Sequence, residues 1–341
     1  MAIAALLAIA AGAFVVSRLL GPGTQAAPAS RLYVAISRSD DEAAAREIEV
    51  IDTASGERSL FDIGARISAL ALSADRKTLY VGLDDGLLLL VDPTSGVRYG
   101  EIRSRRASWI LPLGGAEVIL VGPSPTGGAI AKVDVPGRRE VATAELDAVP
   151  GQPVVRGGEL LVPIAVRGDN SLAVYSAATL VRSASTPVVR MTGRVAFGHP
   201  IAHLTPASGV AYLAQWDSGP AAARLLIDAA GEATPREVLI AVTAAGDRPL
   251  RGLASVQSSL ARGPGGLLHV CTGSAERAAR YVVGDAAQRV GTECGQLVRV
   301  ADRIYLAVRG KPRVAVIDEV TGRALRDLLL PGIPVLVAGS D

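Results

Sequence analysis

One phrase recurs seven times along the chain and constrains its fold more than any other feature. A short strand of β-branched and aromatic residues leads through a polar loop to a second strand, which ends in Asp and a Gly turn. Such residues favour strands, whereas Asp and Gly end them. The clearest copies begin at Leu32–Val34, Leu79–Val81 and Ile304–Leu306, and weaker copies begin near residues 118, 160, 211 and 267.

The spacing of the copies predicts the architecture. They start 37 to 56 residues apart, around the length of a four-stranded propeller blade. An apolar segment such as Ile67–Asp75 precedes each copy except the first, and predicts an innermost strand. The missing counterpart occurs at the C-terminus, Pro331–Asp341. The sequence therefore predicts an all-β, seven-bladed β-propeller over residues 31–341, closed by a C-terminal strand that completes the first blade.

The Asp and Gly of the repeat are predicted to be structural. The segments Asp52–Gly56, Asp92–Gly96 and Asp318–Gly322 are the same turn. Its Asp accepts hydrogen bonds from backbone N–H groups two residues on, and its Gly supplies the positive φ that the turn needs. These acids are therefore not predicted to be catalytic.

The best-preserved copy resembles a known repeat. The run Leu79–Gly96, with the Ser73–Asp75 turn before it, resembles the YVTN-type β-propeller repeat. That family is similar in turn to the propellers of quinoprotein amine dehydrogenase heavy chains and to the haem-d1 domain of nitrite reductase. The family's Thr-Asn after Tyr-Val is absent here, and Gly82–Leu83 stands in its place. The resemblance implies the fold and little about activity, because propellers host many functions.

The N-terminal segment predicts a membrane anchor or a signal. Residues 1–20 are apolar except for Ser17 and Arg18, and residues 21–30 form a flexible linker. An uncleaved transmembrane helix and a signal cut near Ala27–Ala29 both remain open, and a buried helix is disfavoured because no polar face interrupts the segment. No Lys or Arg precedes the segment, so charge does not fix its orientation. By analogy with related domains, we expect an extracytoplasmic protein, periplasmic or in the cell envelope, anchored or secreted.

Composition and the two cysteines narrow the function further. The net charge is +2, from 35 basic and 33 acidic residues. The sequence lacks the clustered basic residues that would indicate nucleic-acid binding. Hydrophobic residues make up 49%, enough for a large core. Cys271 and Cys294 fall on adjacent predicted blades near the same face. The pattern predicts a disulfide outside the cytoplasm, with two separate thiols as the alternative.

No residue pattern in the sequence predicts a catalytic or metal site. The three histidines are His199, His203 and His269. The first two have the spacing of a helical zinc pair, but Pro200 and the strand context separate them by more than about 10 Å. No C-x-x-C-H or G-x-S-x-G motif occurs. The sequence therefore predicts no catalytic residues, cofactor or metal.

The face that carries the loops after the second and fourth strands is the predicted binding face, because propellers usually bind there, over the central channel. Trp216 is predicted either to anchor a partner or to pack between blades. The candidate residues are Arg38, Asp40, Asp84, Asp85, Arg167, Asp169, Trp216, Asp217, Arg309 and Lys311.

Three functions remain open at this stage. The favoured one is a non-catalytic binding or scaffold propeller, held at a membrane through its N-terminal segment and part of a larger assembly with protein partners. The second is a redox-associated subunit, which the family resemblance implies, with the cofactor on a partner chain. The third is a metal-dependent hydrolase of the lactonase type, which needs a channel-facing ring of ligands that the sequence does not reveal.

Overall fold

The described part of the protein consists of β-sheets. The computed structural model describes residues 30–39, 44–114, 116–148, 150–166, 169–187, 201–205, 209–215, 222–229, 236–242, 259–264, 267–272, 279–283 and 287–339. These residues form seven four-stranded antiparallel sheets. The predicted N-terminal helix, residues 1–20, lies outside the described residues.

The sheets are numbered here in chain order, and their strands have the following bounds. Sheet one contains β1 (Arg31–Ser37), β2 (Glu47–Asp52), β3 (Arg58–Asp62) and β28 (Ile333–Gly339); sheet two contains β4 (Ile67–Leu72), β5 (Leu79–Leu83), β6 (Leu87–Val91) and β7 (Arg98–Arg103). Sheet three contains β8 (Trp109–Pro112), β9 (Glu117–Ser124), β10 (Gly127–Asp134) and β11 (Arg139–Leu146); sheet four contains β12 (Val154–Arg156), β13 (Glu159–Val166), β14 (Asp169–Ser176) and β15 (Arg182–Pro187). Sheet five contains β16 (Ile201–Thr205), β17 (Gly209–Gln215), β18 (Ala222–Ala229) and β19 (Arg236–Val242); sheet six contains β20 (Ser259–Arg262), β21 (Leu268–Thr272), β22 (Ala279–Val283) and β23 (Ala287–Gly291). Sheet seven contains β24 (Gly295–Val300), β25 (Arg303–Val308), β26 (Arg313–Asp318) and β27 (Ala324–Leu329).

Sheet one joins the two ends of the described chain. Its strand order is β28-β1-β2-β3, whereas the other sheets use four consecutive strands. Strand β28 pairs antiparallel with β1, and Val337 lies opposite Val34. This is the pairing that the sequence predicts for its last segment. The C-terminal strand therefore supplies the first strand of sheet one.

Sheets one, two, three and seven are each buried between two neighbours, which explains why their central strands are apolar on both faces. In β1, Tyr33 and Ala35 pack against sheet two, whereas Leu32, Val34 and Ile36 pack against sheet seven. Alternate side chains of a strand point to opposite faces, so both sets are removed from water. Similar cores join sheets two and three, three and four, and six and seven.

The predicted Asp-to-Gly turn is confirmed in three sheets. Asp52 Oδ1 accepts hydrogen bonds from the backbone N–H groups of Ala54 at 2.9 Å and Ser55 at 2.8 Å. Equivalent bonds form at Asp92 and Asp318. The final glycines of the three turns have φ between 69° and 77°. The backbone N–H of Ser55 and its counterparts lower the pKa of these carboxyl groups.

Candidate binding face

The candidate loop residues that the structure describes lie at one end of the sheets. In an antiparallel four-stranded sheet, the loop from the second to the third strand and the loop to the next sheet emerge at the same end, called the loop face here. Among the candidates, Arg38, Asp84, Asp85, Arg309 and Lys311 lie in these loops. The other five are less fully described. Asp169 begins β14, and Asp40, Arg167, Trp216 and Asp217 lie outside the described residues.

Asp84 connects two loops that the sequence analysis did not associate. It follows β5, and its Oδ1 lies 3.0 Å from Nη2 of Arg106, in the loop after β7. Its Oδ2 lies 3.6 Å from Nε of Arg66, in the loop before β4. Exposed ion pairs contribute about 0–1 kcal/mol each, so this arrangement positions loops more than it stabilises the fold. Asp84 thus connects the loop entering sheet two to the loop leaving it.

Glu293 has a similar role beside sheet seven. Its Oε1 lies 2.6 Å from Nζ of Lys311 and 2.5 Å from Nη2 of Arg313. Partial burial favours a higher pKa for Glu293, but the two cations outweigh it and the pKa is lowered. The sequence analysis identified Lys311 but missed Glu293 and Arg313. Nothing in the sequence pattern indicates that Glu293 contacts Lys311 and Arg313, because the acidic residue and the basic pair belong to different loops and strands.

Arg38 forms a more local contact on the same face. Its Nε lies 2.5 Å from Oε2 of Glu47, at the start of β2. The pair spans the loop between β1 and β2, part of which lies outside the described residues. The hydrogen bond from the guanidinium to the carboxylate raises the pKa of Arg38.

The two cysteines meet at the loop face. Cys271 of β21 and Cys294, just before β24, are joined in a disulfide with their Cα atoms 5.3 Å apart. The bond connects sheet six to sheet seven. Gly295 follows directly, and a Cβ there would lie 1.7 Å from the carbonyl oxygen of Ala307. Close approach of the two backbones therefore requires glycine beside the disulfide.

His269 is buried in the contact between sheets six and seven, called the six–seven interface here. It has no exposed surface, and its Nε2 lies 2.9 Å from the carbonyl oxygen of Glu319. A carbonyl only accepts, so Nε2 carries the hydrogen of the neutral ring. Burial lowers the pKa of His269, which favours that neutral form. The residue occupies the repeat position of Tyr33 and Tyr305, and it packs against the turn of the next sheet.

Arg280 supplies a second buried polar group in the same interface. Its Nη2 donates to the carbonyl oxygen of Gly322 at 2.9 Å. Burial lowers the pKa of this guanidinium, and Glu293 acts in the opposite direction. The turn Asp318–Gly322 of sheet seven is thus held by two side chains of sheet six.

The opposite end of the molecule contains a cavity between sheets seven and one, called the seven–one interface here. The cavity measures about 530 Å³ and is lined by Thr53 and Ala54 of sheet one and by Tyr305, Leu325 and Arg326 of sheet seven, among others. It lies at the end that carries the Asp-to-Gly turns, away from the loop face. The sequence analysis did not predict it.

Among the ranges given above, no three His, Cys, Asp or Glu side chains gather as metal ligands. Within the same ranges, no helix has the length and apolar character needed to cross a membrane. His203 lies on β16, and His199 falls outside the described residues.

Comparisons with known proteins identify the fold. No protein-family model and no curated protein matches this sequence. Hydrazine synthase from Kuenenia stuttgartiensis superposes with a TM-score of 0.60 at 14% identity, covering 81% of this chain and 90% of that one. Apo AztD from Citrobacter koseri gives a TM-score of 0.58 at 12% identity, covering 92% and 98%.

A structure of a nidogen/laminin complex also matches, with a TM-score of 0.52 at 11% identity over 92% of this chain and 98% of that one. These similar structures are β-propeller proteins. The chain therefore has a β-propeller fold. At such low identity, the similarity shows the fold alone.

Proposed function

We propose that this protein is an extracytoplasmic propeller that binds protein partners through its loop face and acts as a scaffold within a larger assembly. In this proposal the seven sheets form one seven-bladed ring closed by β28, and residues 1–20 hold it at a membrane. The observation that carries the proposal is the set of ion pairs that fix charged loops on one face. Rigid, preorganised charged surfaces favour specific recognition, because little order is lost on binding.

Two features support the partner and the location. One of the similar structures is that of a nidogen/laminin complex, so the matched protein is bound to a protein partner there. The disulfide between Cys271 and Cys294 suits an oxidising compartment, because cytosolic thiols are kept reduced. The proposal therefore locates the ring outside the cytoplasm.

Site-specific crosslinking tests the binding face. A photoreactive phenylalanine analogue replaces Asp85 or Lys311 on the loop face, and Glu57 or Arg323 at the opposite end serves as the matched control. We expect discrete adducts with the same protein from both loop-face positions and none from the controls. Adducts from the control positions alone, or equal labelling at all four, would contradict the proposed face.

Thiol trapping tests the location. Cells are quenched rapidly with acid, which preserves the thiol state, and their proteins are denatured. The denatured protein is then treated with a maleimide carrying a 5 kDa polymer, with and without prior reduction. We expect no mass shift without reductant and a shift by two polymers with it. Two polymers without reductant would place the chain in a reducing compartment. Carbonate extraction of membranes then tests the anchor, since an anchored chain stays in the pellet.

A further inference from the structure

The packing of the seven–one interface differs from the packing between sheets one and two and between sheets six and seven. In sheets two and seven the Asp-to-Gly turn is filled by a side chain of the preceding sheet. A Cβ at Gly96 would lie 2.4 Å from the ring of Phe61, and a Cβ at Gly322 would lie 2.4 Å from Val282. At Gly56, the equivalent position of sheet one, a Cβ would have nothing within 4 Å. The open turn borders the cavity of about 530 Å³.

The inner wall of this cavity is rigid and apolar. Tyr305 and Val316 are each 3% exposed, so they form a fixed surface. Leu325 on the outer strand β27 also lines the cavity and is 52% exposed. A large exposed leucine beside a cavity has apolar surface that a ligand can cover, at about 25 cal/mol per Å².

The polar side of the cavity is basic. Arg303 and Arg326 both line it, together with Asp302. Asp302 is already paired, because its Oδ2 lies 2.9 Å from Nη1 of Arg303. Within the described residues, Arg326 has no acidic side chain at ion-pair distance. One cationic charge at the cavity thus lacks a described counter-ion.

Hydroxyl groups complete the polar side. Tyr305 and Thr53 both line the cavity. Burial raises the pKa of Tyr305 against the opposing effects of the Thr53 side chain and Arg326, so the Tyr305 hydroxyl keeps its hydrogen and can donate it. Guanidinium and hydroxyl donors together match the oxygens of a carboxylate or a sulfonate. The volume falls within the range of about 300–1,000 Å³ that small-molecule sites occupy.

We infer that the seven–one cavity binds a small amphipathic organic anion, with its acidic group at Arg326 and its apolar body along Leu325 and Val316. The site is separate from the proposed loop face, at the other end of the sheets. Its failure would leave the scaffold proposal intact, and failure of that proposal would leave the site intact.

Fluorescence titration with 8-anilinonaphthalene-1-sulfonate tests the site, because this probe combines a sulfonate with an aromatic body. Arg326→Ala removes the charge, and Ala54→Trp fills the space from an exposed turn position. Each is expected to weaken the tightest binding phase about tenfold, or about 1.4 kcal/mol. Arg326→Ala does so by removing a charge-assisted contact and Ala54→Trp by excluding the probe from the cavity. The matched controls Arg139→Ala and Val141→Ser lie on the outer strand of sheet three.

Competition establishes the charge preference. Octanoate is expected to displace the probe, whereas octyltrimethylammonium and octyl glucoside are not. Unchanged circular dichroism and melting temperature verify that each variant folds. Wild-type affinity in both cavity variants, an equal loss in the sheet-three controls, or displacement by the cationic competitor at octanoate's concentration would each overturn the inference.

Discussion

Sheet seven has two very different neighbours. Towards sheet six it is held by a disulfide, by His269 and Arg280, and by one turn whose Gly322 packs against two valines. Towards sheet one it shares an apolar core but leaves a cavity under the Asp52–Gly56 turn. The same repeat unit therefore makes a covalent contact on one side and a loosely filled one on the other.

The difference between the two interfaces indicates which positions of the repeat can vary. The apolar strands are kept at both interfaces because each sheet must bury both faces. The residue types over the turn are less constrained by packing, since these residues lie at the margin of that core. Variation is therefore concentrated at the turn end and at the loop face, where binding sites can form without loss of the fold.

Removal of β28 is expected to have the largest effect on this comparison. A chain ending at Leu330 loses Val337 and Ala338 from the cores on both sides of sheet one and leaves β1 as an open edge strand, paired only with β2. We expect a loss of more than about 5 kcal/mol, which is comparable to the whole stability of many domains. Urea unfolding followed by circular dichroism measures it.

Complementation is the control for that truncation. A synthetic peptide of residues 331–341 should restore the cooperative transition, and a scrambled peptide should not. Cooperative unfolding of the truncated chain at the wild-type midpoint would show that sheet one does not need β28.

Replacement of both cysteines by serine breaks the six–seven interface selectively. The bond closes a loop with a sequence separation of 23, for which loop entropy predicts a loss of about 3 kcal/mol in the free energy of unfolding. Urea midpoints of the oxidised wild type and the variant measure it. The reduced wild type is the control and should match the variant; a midpoint unchanged in both would contradict the expected contribution.

Glycine substitutions compare the two interfaces directly. Gly322→Ala combines a positive φ with a clash against Val282, and we expect a cost of about 2–4 kcal/mol. Gly56→Ala has the same backbone strain but open space, so its cost should be about 1–2 kcal/mol. Thermal and urea unfolding of the pair measure both costs. Equal losses of stability in the two variants would mean that the open space at Gly56 gives its turn no advantage over the packed turn at Gly322.

His269 makes the six–seven interface sensitive to mild acid, with the smallest expected effect. Its native-state pKa is lowered by burial, so the unfolded chain binds more protons as the pH falls below about 6.5. Stability should therefore decrease between about pH 7 and pH 5. His269→Gln keeps an N–H donor and removes the titration, so its profile should be flatter, with a change of at most about 1 kcal/mol at pH 7.5.

Urea unfolding of the wild type and of His269→Gln over this pH range measures the free energy of unfolding of both. A wild-type slope in His269→Gln would mean that another group titrates in this window.

The repeat made the fold predictable, whereas the contacts between repeats were not. Strand pairs, the Asp-to-Gly turns and the role of the last segment follow from local patterns of apolar residues, Asp and Gly. The ion pairs of Asp84 and Glu293 join residues from different loops, and the cavity depends on which side chains meet over a turn. The periodicity of a single sequence does not show which side chains of different repeats are in contact. The histidine at the repeat's tyrosine position was visible, but its partner, the carbonyl of Glu319, was not.

The pairing of β1 with β28 has a consequence during synthesis. Arg31–Ser37 leaves the ribosome before the strands of sheets two to seven, and its partner, Ile333–Gly339, leaves it after them. Until then β1 presents an open edge, which invites pairing with other chains. A product of premature termination keeps that edge permanently. Strand β28 therefore protects the edge of β1, and a chain truncated before Ile333 exposes that edge to pairing with other chains.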